Sequence, residues 1–130
     1  MSKVGFSVNV VLVSDLERLQ RFYRDVLGCD VTEYWAVRDD FALGFKLIQA
    51  ASADDVRPNR PGKDQSVSWD TYAYVETHGE LDELYRQFAG KGATIAQQPA
   101  TVDMDWGSWR EFAIADPDGY VIAFGSGKKT

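Results

Sequence analysis

Two carboxylates sit among aromatic rings in this sequence. Asp70 lies inside Trp69-Asp70-Thr71-Tyr72-Ala73-Tyr74-Val75, and Glu111 inside Trp109-Arg110-Glu111-Phe112. Asp70, flanked by rings, can anchor a cation whose flanks stack on them. With its pKa raised by burial either acid can instead act as a general base on a small carbonyl or aromatic substrate. Strand alternation puts Asp70, Tyr72 and Tyr74 on one face and Thr71, Ala73 and Val75 on the other. The first set suits a ligand cleft, the second the underside of a helix. Of the four tryptophans, Trp35 and Trp106 are further candidates for the wall or rim of that cleft. Arg110 and Glu111 alternate in side, and the sequence leaves open which of them looks inward.

Other reactive groups are few. His78 is the lone histidine, in the turn Thr77-His78-Gly79-Glu80, and no nucleophile, histidine and acid can be assembled around it. Cys29 is the lone cysteine, which excludes a disulfide framework and a cysteine-based metal site. It reads as a small buried hydrophobe. Fourteen Lys and Arg against 20 Asp and Glu give a net charge of −6. That balance argues against nucleic acid, which needs basic clusters to displace counterions, and tolerates a cationic partner. The first ten residues lack a signal-like apolar run, and no 18-residue apolar segment exists. No membrane partner is expected, and the cytoplasm is the expected compartment.

The elements that must position these residues come from a repeat. Phe6 to Val13 is a β-rich run, followed by Ser14-Asp15-Leu16-Glu17, a capping-box pattern with Ser14 as the expected N-cap. Leu16, Leu19, Phe22, Tyr23, Val26 and Leu27 then fall at helical spacing, and Gly28 ends the helix. In the second half Trp69 to Val75 is β-rich and Thr77 and Glu80 repeat the cap. Leu81, Leu84, Tyr85 and Phe88 repeat the spacing. Three short strands should follow each helix, at about 31–37, 40–44 and 45–50, then at 94–99, 109–115 and 120–124. A polar segment, 51–67, joins a first module of about 1–50 to a second of about 68–130, all within one domain. The expectation is an α+β fold of two βαβββ modules. Side by side they would make a curved eight-stranded mixed sheet with a concave cleft and helices on the outer face.

VLVSDLERLQRFYRDVLG, ending at Gly28, and WREFAIADPDGYVIAFG, ending at Gly125, resemble the hallmark segments of the vicinal oxygen chelate superfamily. This superfamily includes glyoxalases, extradiol dioxygenases and bleomycin-resistance-type binding proteins. The resemblance implies a homodimer. It also implies four positions where metal-dependent members carry His, Gln or Glu, which here are Val8, Ile48, Asp70 and Ala123. One carboxylate and three hydrocarbons do not hold a divalent ion. A slip of one residue would bring in Asn9 and Gln49 but would turn Val11 and Val13 away from the helix. The resulting expectation is a metal-free, cofactor-free binding protein, most like the bleomycin-resistance type. Its ligand is a small molecule, planar or cationic, held by Asp70, Tyr72, Tyr74, Trp35, Trp106, Val8, Ile48 and Ala123. The alternative is a metal-independent lyase or isomerase with Asp70 or Glu111 as its base.

Overall fold

The computed structural model describes residues 2–130. The chain divides into two compact units between Arg57 and Pro58, inside the polar connection. The first contains β1 (Asn9–Val13), α1 (Leu16–Asp25), β2 (Asp30–Thr32), β3 (Trp35–Arg38) and β4 (Leu43–Gln49). The second contains β5 (Thr71–Tyr74), α2 (His78–Gly90), β6 (Thr94–Met104), β7 (Gly107–Ala115) and β8 (Val121–Lys129). The sheet orders match, β1-β4-β3-β2 and β5-β8-β7-β6. In each unit the first strand runs parallel to the last and the other pairs are antiparallel. The fold is therefore α+β, with two βαβββ modules and eight strands in two mixed sheets.

Local chemistry explains where the elements begin and end. Val11 and Val13 are buried while Val10 and Leu12 are exposed, so the register expected for β1 holds. Asp15, rather than Ser14, caps α1, its carboxylate accepting from the Arg18 N–H at 3.2 Å. Gln49 at the end of β4 reinforces that cap. Its Oε1 accepts from Leu16 N–H at 2.8 Å and its Nε2 donates to the Ser14 carbonyl at 2.8 Å. Thr77 caps α2 as expected, through Glu80 N–H at 3.0 Å. At the other end of α2, Gly92 takes φ +85°, and the N–H groups of Gly92 and Ala93 close on the carbonyls of Ala89 and Phe88. Such a left-handed stop suits glycine, which has no Cβ to clash.

The strands after each helix differ in detail from the expectation. The run 31–37 is two strands, parted by a turn at 33–34 where Glu33 has φ 46°. Asp39, Asp40 and Phe41 are all left-handed, so 40–50 forms one strand that starts only at Leu43. In the second unit β6 and β7 continue as a long hairpin to Met104 and Gly107.

Each core is the face its helix covers. In the first unit Tyr23 of α1 meets Phe45 of β4 edge-on at 4.9 Å, beside fully buried Leu19, Leu27 and Leu47. In the second, Phe112 of β7 stacks on Phe124 of β8 at 5.1 Å, and both approach Phe88 of α2. Cys29 is buried, as expected, and desolvation lifts its thiol from 9.0 to about 12. The folded chain keeps that proton to higher pH than the unfolded chain does. This share of stability is complete below about pH 9 and is lost as pH climbs through about 12. Urea unfolding at pH 8 and 10.5 should show the native chain losing roughly 1–2 kcal/mol more than Cys29→Ala over that interval. Equal losses would mean that the thiol titrates alike in both states.

Candidate functional site

Four aromatic rings and one carboxylate line a recess of about 590 Å³ in the second unit: Trp69, Tyr72, Tyr74, Trp109 and Glu111. Three elements deliver them. Tyr72 and Tyr74 alternate along β5, Trp109 and Glu111 along β7, and Trp69 precedes β5. Phe112 decides the inward side of β7. Its ring lies in the core against Phe88 and Phe124, so Glu111 must face the other way. Arg110 turns with Phe112 and donates to Asp82 of α2 at 2.7 Å. The open question about Arg110 and Glu111 is thereby answered, with Glu111 on the recess side.

The Glu111 carboxylate is surrounded by donors. Its Oε1 accepts from the Tyr72 hydroxyl at 2.6 Å and from Trp109 Nε1–H at 3.2 Å. Its Oε2 accepts from the Gln97 amide at 2.7 Å. Trp109 Nε1–H also reaches the Tyr72 oxygen at 2.8 Å, and Trp69 Nε1–H donates to Gln97 Oε1 at 3.3 Å. All the donors are neutral, so they orient the carboxylate without neutralising it. Desolvation first, and then the hydrogen bond to Glu111, pushes the Tyr72 phenol well above its ordinary 10.0, which keeps it a donor.

Gln97 reaches Glu111 through irregular pairing. On β6, Ile95 pairs with Ile114 on the core side, yet Gln97 pairs with Ala113, and the register shifts between them. Strict alternation would have put Gln97 on the same side as Ile95. The extra residue re-aims it. A second shift before Ala100 spans Pro99, a residue that fits a sheet at such irregularities. The floor is as specific as the walls. A Cβ at Gly125 would collide with the Tyr72 hydroxyl and the Trp109 ring, and one at Gly127 would crowd Trp106 and Trp109 at 3.2 Å.

The other expected site residues fall elsewhere. Asp70 leaves its strand's alternation and accepts from two backbone N–H groups, Asn59 at 2.6 Å and Val121 at 2.8 Å. Its own N–H donates to the Val121 carbonyl, so it ties the 58–70 segment to the start of β8. Ala123 is fully buried, paired with Tyr72 on one side and Ala113 on the other. Trp106 stands half-exposed at the tip of the β6–β7 hairpin, outside the recess lining. Val8, Ile48 and Trp35 belong to the first unit. Val8 packs over Gly44, Ile48 pairs with Leu12, and Trp35 meets Phe6 and Phe41 at 6.1 and 5.7 Å. His78 is half-buried at the start of α2, with Nε2 3.1 Å from the Ser126 carbonyl. Trp69, Trp109 and Gln97 were not singled out from sequence. Trp109 was legible, because it shares the side of Glu111 once Phe112 is placed in the core, whereas strict alternation with Tyr72 would have put Trp69 on the helix side.

The superfamily's metal does not fit these residues. Val8, Ile48 and Ala123 offer no donor atom, and both oxygens of Asp70 already hold backbone N–H groups. Among the described residues no three His, Cys, Asp or Glu side chains converge.

The sequence from 6 to 124 matches the Glyoxalase/Bleomycin resistance protein/Dioxygenase superfamily, and the chain belongs to it. No curated protein matches the chain. Among solved structures, a glyoxalase/bleomycin resistance protein/dioxygenase from Alicyclobacillus acidocaldarius is similar with a TM-score of 0.70 at 15% identity, over 94% of this chain and 90% of that one. TnmS3, an antibiotic binding protein from Streptomyces sp. CB03234, has a TM-score of 0.69 at 17% identity, over 98% and 99%. TioX from Micromonospora sp. ML1 has 0.60 at 17%, over 97% and 98%. At these identities the likeness is one of fold. No helix among the described residues is long and apolar enough to cross a membrane.

Asp70→Ala should cost about 1.5–3 kcal/mol of unfolding free energy, the range for hydrogen bonds to a charged group. Chemical denaturation reads it. A variant as stable as the parent would show that these two bonds do not hold the segment.

Proposed function

We propose that this chain is a metal-independent small-molecule-binding protein that holds a planar or cationic guest in the Glu111 recess. The observation that carries this reading is the single carboxylate oriented by three neutral donors among four aromatic rings. Rings of this kind stack on flat guests and attract cations. The antibiotic-binding neighbour of like fold supports a binding role. The charged anchor of the site is then Glu111 rather than Asp70. A general base needs a lone pair aimed at the substrate's proton, and three donors already crowd the Glu111 oxygens, which favours binding over catalysis.

Acridine, neutral at pH 7.5, and N-methylacridinium are suitable probes. At least one should quench tryptophan fluorescence saturably, with and without EDTA. Tyr74→Ala removes a ring that is 79% exposed and so spares the fold. It should weaken binding by about 0.5–1.5 kcal/mol, the value of an aromatic pair. Exhaustive chelation should leave the melting temperature unchanged. Loss of binding on chelation, or no saturable binding of any flat or cationic aromatic probe, overturns the reading.

The same reading includes a homodimer. Tyr74, Val102, Met104 and Trp106 leave apolar surface exposed in the second unit. Sedimentation at micromolar concentration should give twice the 14.6 kDa chain mass, and a monomer there removes the dimer from the proposal.

A further inference from the structure

We propose that the recess selects a fully alkylated ammonium group, the headgroup of a larger guest, over a primary ammonium. The inference rests on the binding role proposed above and names the chemistry of the guest.

The walls supply the first argument. Tyr74 and Trp109 meet at 71° with centroids 5.9 Å apart, and Tyr72 and Tyr74 at 51° and 5.3 Å. Tyr72 and Trp109 themselves lie 24° from parallel with centroids 6.3 Å apart, so Tyr74 stands across that pair and the recess is not one flat slot. A rounded cation can touch several faces at once and sit within about 6 Å of each centroid, the range in which a ring quadrupole attracts it. Trp69 adds a further ring, 4.8 Å from Tyr72 at 65°.

The carboxylate supplies the second argument and decides between kinds of cation. Glu111 provides negative charge, but Tyr72, Trp109 and Gln97 already donate to its two oxygens. A primary ammonium leaving water must find acceptors for three N–H groups, and a donor left without one costs its desolvation. Nothing in the recess lining besides Glu111 carries a charged acceptor. A trialkylated nitrogen has no N–H to satisfy. It takes the charge at a distance and the ring faces by contact. At about 590 Å³ the recess also exceeds a lone ammonium headgroup, so the guest extends beyond its nitrogen.

Three probes on one benzyl frame separate these terms: benzyltrimethylammonium, its neutral carbon isostere neopentylbenzene, and benzylamine, a smaller primary ammonium at pH 7.5. Tryptophan fluorescence and calorimetry should give benzyltrimethylammonium an advantage of about tenfold over each of the other two, in the range of a partly desolvated cation–ring contact. Glu111→Gln should reduce the advantage over neopentylbenzene, and Tyr74→Ala should weaken the cation several-fold with the melting temperature kept. Benzylamine binding as well as the trimethyl compound overturns the inference, because the recess then has a free acceptor. Neopentylbenzene binding as well overturns it too, because charge is then not read. In either case saturable binding of acridine or N-methylacridinium leaves the binding role standing. If none of the three binds while an acridine does, the recess takes flat rings only and the inference falls. Failure of all five probes removes the binding role itself.

Discussion

A carboxylate set among four aromatic rings must have its oxygens met by donors, and most of the second unit's particular features follow from that need. Glu111 takes its donors from three places: Tyr72 on β5, Trp109 two residues before it on β7, and Gln97 on β6. Strand order β5-β8-β7-β6 separates these residues by a whole sheet width, with β8 between Tyr72 and Glu111. The intervening strand therefore has to be bare. Gly125 is paired with Glu111 on β7 and sits one position beyond the partner of Ala73 on β5. With no side chain there, the Tyr72 hydroxyl crosses over β8 to reach the carboxylate.

The same economy replaces the superfamily's metal set. Where metal-dependent relatives would place donors, this chain has Val8, Ile48 and Ala123, and an Asp70 that ties backbone to backbone. In the reading proposed above, the site works by stacking and charge and not by coordination.

The two units show how far one module can diverge. Both bury helix-facing aromatics, Tyr23 with Phe45 in the first and Phe88 with Phe112 in the second. On the opposite faces they part. The first unit gathers Phe6, Trp35 and Phe41 ring to ring, with Phe6 and Phe41 stacked at 4.1 Å. The second sets its rings around a hydrogen-bonded carboxylate and leaves a recess. In Phe41 the aromatic contact coincides with a run of three left-handed residues, a conformation that costs a non-glycine residue about 1 kcal/mol or more each.

Much of this was legible from residues alone because the signals are local. Helical spacing from Leu16 to Leu27 and from Leu81 to Phe88 marked both helices, and alternation in 71–74 and around Val11 and Val13 marked which strand faces are covered. The match between halves implied a shared βαβββ module, and the structure gave both the same strand order. Boundaries were less legible. Asp15 capped α1 in place of Ser14, and 31–50 regrouped its strands around left-handed residues that no propensity announces. The site lay between these cases. Tyr72 and Tyr74 were named, and Glu111 as the base of the alternative reading, whereas Asp70 was given an inward role by an alternation that begins only one residue after it, at Thr71. Gln97 could be placed only by the fold. Periodicity is a property of one strand, but a bulge is a property of two, and the pairing of β6 with β7 turned Gln97 from the helix side to Glu111.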